Sequence, residues 1–210
     1  MLRATCRENG TNELVTDAVL VVAARAGDVG ACEALFRRHV GLALGLAERI
    51  LAGRDDAEDI VQDAFVEVFD HLVQLERPQA FAAWLASIVV RRASRSLRRQ
   101  RLLARLGLRT ERPVEPDALI AHTAPPDVAC ELRAVYGCLS RLPVNEGVAL
   151  LLRRVEGLEL GEIAEHLQLS LATVKRRLTA AEARLQRERQ RAPASSVVRR
   201  ALVERGKVQP

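Results

Sequence analysis

Residues 158–185 read LELGEIAEHLQLSLATVKRRLTAAEARL, and this stretch decides the class of the fold. Its first part spaces apolar residues as in a short helix with one buried face, at Leu160, Ile163, Ala164 and Leu167. Gln168 to Ser170 predicts a tight turn, with Ser170 placed to cap the next helix. That helix has an apolar stripe at Leu171, Val174, Leu178, Ala181 and Leu185. Two helices joined by so short a turn are typical of a helix-turn-helix.

The opposite face of the second helix carries hydroxyls and cations near its start. They are Thr173, Lys175, Arg176, Arg177 and Thr179. Arginine can read guanine through two hydrogen bonds in the major groove, and lysine and threonine can bind phosphates or bases. A plain helical hairpin with a solvated basic face is the alternative. The short first helix, the turn and the position of the cations favour DNA binding.

A first helical lobe is predicted over residues 17–105, because apolar residues recur there at three- and four-residue steps. Gly27 closes an initial helix and Asp28 caps the next, which runs from about Val29 to Leu51. The inner face of that helix is assigned to Leu35, Phe36, Leu42, Leu46 and Ile50. No useful stretch alternates as a strand does, so the predicted class is all-α.

Two further helices are predicted in this lobe. Asp55 and Asp56 offer a cap and negative charge for the start of the first, which explains the pair better than a magnesium site. The second is long and begins near Gln79. Trp84 falls in its apolar stripe, so we expect a core role for this tryptophan.

Helical periodicity fails after Gly107, where prolines accumulate at Pro113, Pro116, Pro125 and Pro126. We therefore predict a flexible, proline-containing linker over residues 106–126. A second helical lobe is expected over 127–190, with Asp127 and Asn145 as helix caps, and residues 191–210 as a loose basic tail. The predicted architecture is two small helical domains joined by the linker.

Charge is segregated along the first lobe of a chain whose net charge is +5. Eight acidic residues against one arginine lie between 54 and 76, whereas nine arginines and no acid lie between 77 and 109. An acidic helix repels DNA and suits a positively charged protein partner, while a basic helix suits phosphates. One lobe with both faces suggests a bridge between a protein machine and nucleic acid.

The sequence contains no pattern typical of an enzyme. It has no nucleophile motif, phosphate-binding glycine loop or zinc-protease signature, and its four histidines and four cysteines lack metal-ligand spacing. We therefore expect a protein that is not an enzyme and has no metal or cofactor. No signal peptide or membrane-spanning stretch is recognisable, so the expected compartment is the cytoplasm, without membrane insertion.

Three blocks resemble the bacterial sigma-70 family of RNA polymerase sigma factors, of the extracytoplasmic-function (ECF) type. They are DAEDIVQDAFVEVF at 56–69, FAAWLASIVVRRASRSLRRQR at 81–101, and LPVNEGVALLLRRVEGLELGEIAEHLQLSLATVKRRLTAAEARL at 142–185. The first two resemble region 2 and the third resembles region 4. The blocks follow the family's order, with a linker of fitting length between them.

The resemblance implies a protein that joins core RNA polymerase to promoter DNA. Positions matching the polymerase contacts are Asp56, Glu58, Asp59, Gln62 and Asp63. Residues 73–79 match the loop that captures a flipped base of the minus-10 element. Positions on the minus-10 DNA helix are Arg91, Arg92, Arg95, Arg98 and Arg99, and those matching minus-35 contacts are Ser170, Thr173, Lys175, Arg176 and Arg177.

The chain departs from the family pattern in two places. Arg91 stands where Asn is usual and Arg95 where Asp is common, which predicts stronger phosphate binding and an unusual, relaxed minus-10 preference. In addition, Glu159 replaces the usual hydroxyl at the start of the helix-turn-helix. That change costs a hydroxyl cap but not the fold.

Two alternatives to a promoter-directing sigma factor stay open. A stand-alone helix-turn-helix regulator would bind DNA without polymerase, but it leaves the acidic helix unexplained. A sigma-like decoy or adaptor that has lost promoter opening is kept open by Arg91 and Arg95. Members of the family are often held inactive by a cognate anti-sigma protein, and nothing in the sequence identifies one.

Overall fold

The computed structural model describes residues 15–52, 56–108 and 136–191, and these residues form helices and no strands. The first lobe contains α1 (Asp17–Arg25), α2 (Val29–Leu51), α3 (Ala57–Asp70) and α4 (Phe81–Arg105). Two short 3-10 helices, η1 (Leu72–Gln74) and η2 (Pro78–Ala80), connect α3 to α4. Helical residues 136–141 then precede α5 (Val144–Arg154), α6 (Leu160–Leu167) and α7 (Leu171–Arg191). The predicted all-α class is confirmed.

The turn between α1 and α2 forms as predicted. Gly27 adopts φ +92°, a left-handed conformation that costs glycine little, and the Asp28 carboxylate accepts a 3.2 Å hydrogen bond from the Ala31 amide. At the other end of α1, Asp17 accepts hydrogen bonds from Arg38 at 2.6 Å and from His39 at 2.8 Å. The helix is therefore held against α2 at both ends.

The core of the first lobe lies between α2, α3 and α4. It is built from small and branched residues around a few aromatics, and its most buried side chains include Leu35, Leu51, Val68, Phe81, Ile88 and Val89. Trp84 is half-buried and packs against this core, as expected. Helix α4 begins two residues later than predicted, because Pro78 starts the 3-10 helix η2.

Two of the inner-face assignments in α2 are wrong. Leu42 was placed on the inner face, yet its side chain is 73% exposed, and Phe36 is 39% exposed. The buried face instead follows Leu35, His39 and Ala43 at four-residue steps. A histidine occupies this face because its ring is hydrogen-bonded to Asp17 and lies 5.2 Å from the ring of Phe81. Hydrophobicity alone therefore favours Leu42 for the inner face, whereas the neighbouring Ala43 is the residue that is buried.

The second lobe packs α5 against α6 and α7. Its buried side chains include Val148, Leu151, Leu152, Ile163, Val174 and Leu178. The predicted cap at Asn145 is wrong, because α5 already begins at Val144 after Pro143, which places Asn145 inside the first turn. Gly157 adopts φ +72° just after α5, which reverses the chain toward α6. The predicted cap at Asp127, most of the linker and nearly all of the tail lie outside the described residues.

The two lobes contact each other through α4, which packs against both α5 and α6. Arg49 of α2 binds both carboxylate oxygens of Glu156, at 2.5 and 3.0 Å, and only 34% and 20% of these side chains is exposed. Arg98 donates to the Asn145 side chain at 2.8 Å. Arg101 donates to the carbonyl oxygen of Leu142. Packing and charged contacts thus bring the lobes together in this structure.

Candidate nucleic-acid interface

The predicted helix-turn-helix is formed by α6 and α7. Gln168 takes the left-handed conformation at φ +52°, which makes the turn. The Ser170 hydroxyl accepts a 3.2 Å hydrogen bond from the Thr173 amide, as expected of a helix cap, and lies 2.9 Å from the Thr173 hydroxyl. At the start of α6 the Glu162 carboxylate accepts from the Glu159 amide at 2.7 Å, and the Glu159 side chain accepts from the Glu162 amide in a capping box, so the Glu159 carboxylate takes the place of the usual hydroxyl cap.

The predicted minus-35 residues do not share one environment. Lys175 and Arg176 are exposed on α7, as is Ser170, whereas Thr173 and Arg177 are half-buried. Burial lowers the pKa of Arg177, and the neighbouring cations Arg98 and Arg176 lower it further against the opposing effect of Glu146. Arg177 therefore faces the first lobe in this arrangement, while Lys175 and Arg176 are available to a duplex.

The predicted minus-10 arginines divide in a similar way. Arg95, Arg98 and Arg99 are exposed on α4. Arg91 is half-buried and donates to the Ser87 hydroxyl at 3.0 Å, and burial is the largest cause that lowers its pKa. Arg92 binds Glu67 at 2.7 Å and Asp63 at 2.9 Å. These contacts to α3 make it a link between helices.

The acidic face of α3 is largely accessible. Glu58, Asp59, Gln62 and Asp63 are exposed, although Asp63 pairs with Arg92. Asp56 behaves differently, because its carboxylate accepts hydrogen bonds from Ser96 and Gln100 of α4 and does not cap α3. The ion pair between Asp63 and Arg92 thus joins a predicted polymerase contact to a predicted minus-10 residue. The Asp56 carboxylate instead points toward α4.

The loop over residues 73–79 exposes mainly polar side chains and is anchored to the core by buried leucines. Leu72 and Leu75 are 3% and 6% exposed, whereas Val73 is 79% exposed. The other exposed residues are Gln74, Glu76, Arg77 and Gln79. Behind the loop, Arg25 of α1 donates to the carbonyl oxygens of Leu72 and Leu75. Sequence patterns did not single out Arg25, since a basic residue in a last helical turn is common and these contacts lie 47 and 50 residues away.

The described residues hold neither a metal-binding cluster nor a membrane-spanning helix. Across residues 15–52, 56–108 and 136–191, no three His, Cys, Asp or Glu side chains gather as a metal-binding group. Neither Cys32 nor Cys138 takes part in a disulfide bond. None of the described helices has both the length and the apolar composition needed to cross a bilayer.

Comparison with protein families gives two matches along the chain. Residues 35–102 match the family described as Sigma-70 region 2, and residues 132–185 match Sigma-70, region 4. The first match covers α3, the loop between α3 and α4, and most of α2 and α4, and the second covers the helix-turn-helix. Together the two families account for more than half of the chain.

Similar proteins match about four-fifths of this chain. The chain is 33% identical over 172 residues to "ECF RNA polymerase sigma factor SigM" of Mycobacterium tuberculosis, which covers 82% of this chain and 84% of that protein. It is 28% identical over 182 residues to "ECF RNA polymerase sigma-E factor" of Haemophilus influenzae, covering 79% and 91%. Among solved structures, CnrH in complex with the cytosolic domain of CnrY has a TM-score of 0.57 at 28% identity, covering 84% of this chain and 99% of that one.

Proposed function

This chain belongs to the ECF type of the sigma-70 family of RNA polymerase sigma factors, and from that premise we propose how its residues divide the work of promoter recognition. As a sigma factor it binds core RNA polymerase and directs it to promoters for transcription initiation. The observation that carries the assignment of its surfaces is that the acidic face of α3 and the basic face of α7 are both exposed and lie in different lobes.

The proposed polymerase surface is the exposed side of α3. Glu58, Asp59, Gln62 and Asp63 recur at one- and four-residue steps, so they share one helical face away from the core. A cluster of carboxylates on such a face suits a basic protein surface and repels DNA. Asp56 is omitted from the direct contacts because its carboxylate already binds Ser96 and Gln100.

The proposed minus-10 surface combines the loop 73–79 with the exposed arginines of α4. Arg95, Arg98 and Arg99 supply positive charge for the phosphate backbone. Arg92 acts indirectly, because it holds α4 to α3 through Asp63 and Glu67. We retain Arg91 as a residue that can reach DNA only after α4 is uncovered, since it is half-buried and α6 packs on the same helix.

The proposed minus-35 surface is the start of α7. Lys175 and Arg176 are exposed on the helix that would enter the major groove, and the Ser170 hydroxyl can donate to a phosphate while it caps the helix. Arg177 joins this surface when its neighbour Arg98 moves away. Both partners of the protein, polymerase and chromosomal DNA, are in the bacterial cytoplasm, so we infer that this is its compartment.

The described arrangement fits a closed state better than the DNA-bound one. Elements at minus-10 and minus-35 are separated by about 25 base pairs, or roughly 85 Å at 3.4 Å per base pair. Here Arg98 of α4 donates to the Asn145 side chain of α5 at 2.8 Å and α6 packs on α4, so the two DNA faces are neighbours. The lobes must therefore separate before both elements are bound. We propose that a further protein binds this chain, because the similar protein CnrH forms a complex with the cytosolic domain of CnrY.

The division of labour is tested by two complementary variants in run-off transcription with core polymerase. Asp59→Arg with Asp63→Arg should abolish polymerase binding, measured by affinity capture, and leave the DNA binding of residues 136–191 within the full chain unchanged. Arg176→Ala should leave polymerase binding intact and weaken minus-35 binding by about 1–3 kcal/mol if it reads a base. Failure of the unmodified chain to stimulate synthesis on any genomic template would overturn the assignment.

A sigma-like adaptor without promoter opening is the second candidate, and Arg91 and Arg95 are the observation that favours it. It predicts normal polymerase and minus-35 binding without unpaired bases near minus-10. Permanganate reactivity of promoter thymines distinguishes the two functions, because only an opening-competent sigma factor exposes them. A stand-alone regulator would instead bind an operator tightly without polymerase.

A further inference from the structure

The structure supports the loop 73–79 from behind by a residue outside the region 2 match, Arg25. This arginine ends α1, and its Nε donates to the Leu72 carbonyl oxygen at 3.0 Å while its Nη2 donates to the Leu75 carbonyl oxygen. The two acceptors belong to the first residue of η1 and to the residue that follows its end, so one guanidinium spans this short helix. A planar group with several donors suits this task better than the single ammonium of lysine.

The loop has little other support from its own backbone. Between residues 71 and 80 the backbone bonds are local, from Gln74 to His71, from Leu75 to Leu72 and from Ala80 to Arg77. Short 3-10 turns of this kind are weakly held, because their hydrogen-bond geometry is poor. Buried Leu72 and Leu75 anchor the loop to the core, and Arg25 adds the charged hydrogen bonds from outside the segment.

Helix α1 is itself well anchored, so it can transmit this support. Asp17 at its start binds Arg38 and His39, and Leu20 and Val21 are buried in the core. Helix α1 also packs against both η1 and η2. Helix α1 therefore connects α2 to the loop and supports the loop from one side, while the side chains on the other side of the loop remain exposed.

We propose that Arg25 is a positioning residue for promoter opening: it holds the backbone at 72–75 in the shape that receives an unpaired base, without touching DNA itself. This inference rests on the proposed minus-10 role of the loop. Its half-buried guanidinium is engaged with the two carbonyls and lies behind the exposed side chains at 73–79. Loss of Arg25 should loosen the loop and leave the acidic face of α3 and the helix-turn-helix in place.

The test uses full-length chain with core polymerase on a promoter that supports run-off transcription. Opening is followed by permanganate reactivity, and single abasic sites are placed in turn through the minus-10 element. The variants are Arg25→Gln and Arg25→Lys, with Arg37→Gln as control, because Arg37 is an exposed arginine that pairs along α2 with Glu33. Polymerase affinity and thermal unfolding are measured for each variant.

We expect Arg25→Gln to slow promoter opening by about tenfold, with polymerase affinity unchanged. An abasic site at the position of the captured base should then reduce the opening rate less in this variant than in the unmodified chain. Arg25→Lys should recover part of the rate, and Arg37→Gln should match the unmodified chain. Opening rates and abasic penalties in Arg25→Gln equal to those of the unmodified chain would overturn the proposal, as would an equal loss of polymerase affinity. Failure of the unmodified chain to transcribe would instead count against the proposed function.

Discussion

At the level of single residues, burial separates two arginines that lie one turn apart on α4. Arg95 is exposed, whereas Arg91 is half-buried and bonded to Ser87. Both stand at positions where the resemblance leads one to expect Asn or Asp, but only Arg95 is free to meet phosphates in the described arrangement. The positive charges of Arg91 and Arg95 are therefore not equivalent, because the contribution of each to DNA binding depends on whether its guanidinium is accessible.

Arg95→Ala should weaken promoter binding by the polymerase complex equally on different minus-10 sequences, because a phosphate contact carries no sequence information. The slope of log affinity against log salt concentration should fall by about one unit, as expected for one lost phosphate contact. Binding is measured over a potassium chloride series with two promoters that differ only at minus-10. Arg37→Ala is the matched control, and a sequence-dependent loss in Arg95→Ala would show that this residue reads bases.

At the level of helices, the boundary between α4 and α6 contains a titratable residue. Burial lowers the pKa of His166, and Arg91 of α4 lowers it further against the opposing effects of Glu162 and Glu165. Helix α6 therefore packs on α4 with a neutral imidazole. Since burial holds the folded-state pKa of His166 below its ordinary value of 6.5, the stability that the neutral imidazole contributes is fully present above pH 6.5 and is lost as the pH falls through the folded-state pKa.

The thermal midpoint of the chain should therefore fall between pH 7.5 and pH 5, and His166→Gln should reduce that fall because glutamine does not titrate. Unfolding is followed by circular dichroism over a pH series. His71→Gln serves as control, because His71 is exposed and outside this boundary. Identical pH profiles for His166→Gln and the unmodified chain would contradict the assignment of a buried, neutral His166.

The sequence predicted those element boundaries that depend on clear local spacing and caps, but it did not predict partners across elements. The predicted span of α2 agrees with Val29–Leu51, and Ser170 caps α7, because both depend on local spacing and capping chemistry. The pairing of Arg92 with Asp63 depends instead on how α3 and α4 cross in three dimensions. Because such contacts depend on tertiary packing, the sequence also did not predict the role of Arg25, and it assigned Leu42 to the wrong face of α2. Local periodicity therefore identifies candidate surfaces, and tertiary packing decides which of their residues are accessible.

For the whole molecule, the contact between the two lobes opposes promoter binding, because the lobes must separate before both promoter elements are bound. Arg49 and Glu156 form a two-point ion pair between α2 and the turn after α5, and Tyr136 is buried nearby, with its pKa raised to about 12 mainly by burial. Each lobe has its own buried residues, so separation does not require either to unfold. The closed form should therefore exchange with an open one, and this pair should bias the exchange toward the closed state.

Glu156→Arg should shift the free chain toward the open form, because it replaces attraction with repulsion opposite Arg49. A partly exposed pair contributes about 1 kcal/mol, so roughly a fivefold change in population is expected. Single-molecule energy transfer between dyes on α3 and α7 measures the change. Glu182→Arg is the matched control, because Glu182 pairs with Arg154 inside the second lobe at 3.0 Å. The swap Arg49→Glu with Glu156→Arg should restore the closed population, and a distance distribution unaffected by Glu156→Arg would show that apolar packing alone holds the lobes together.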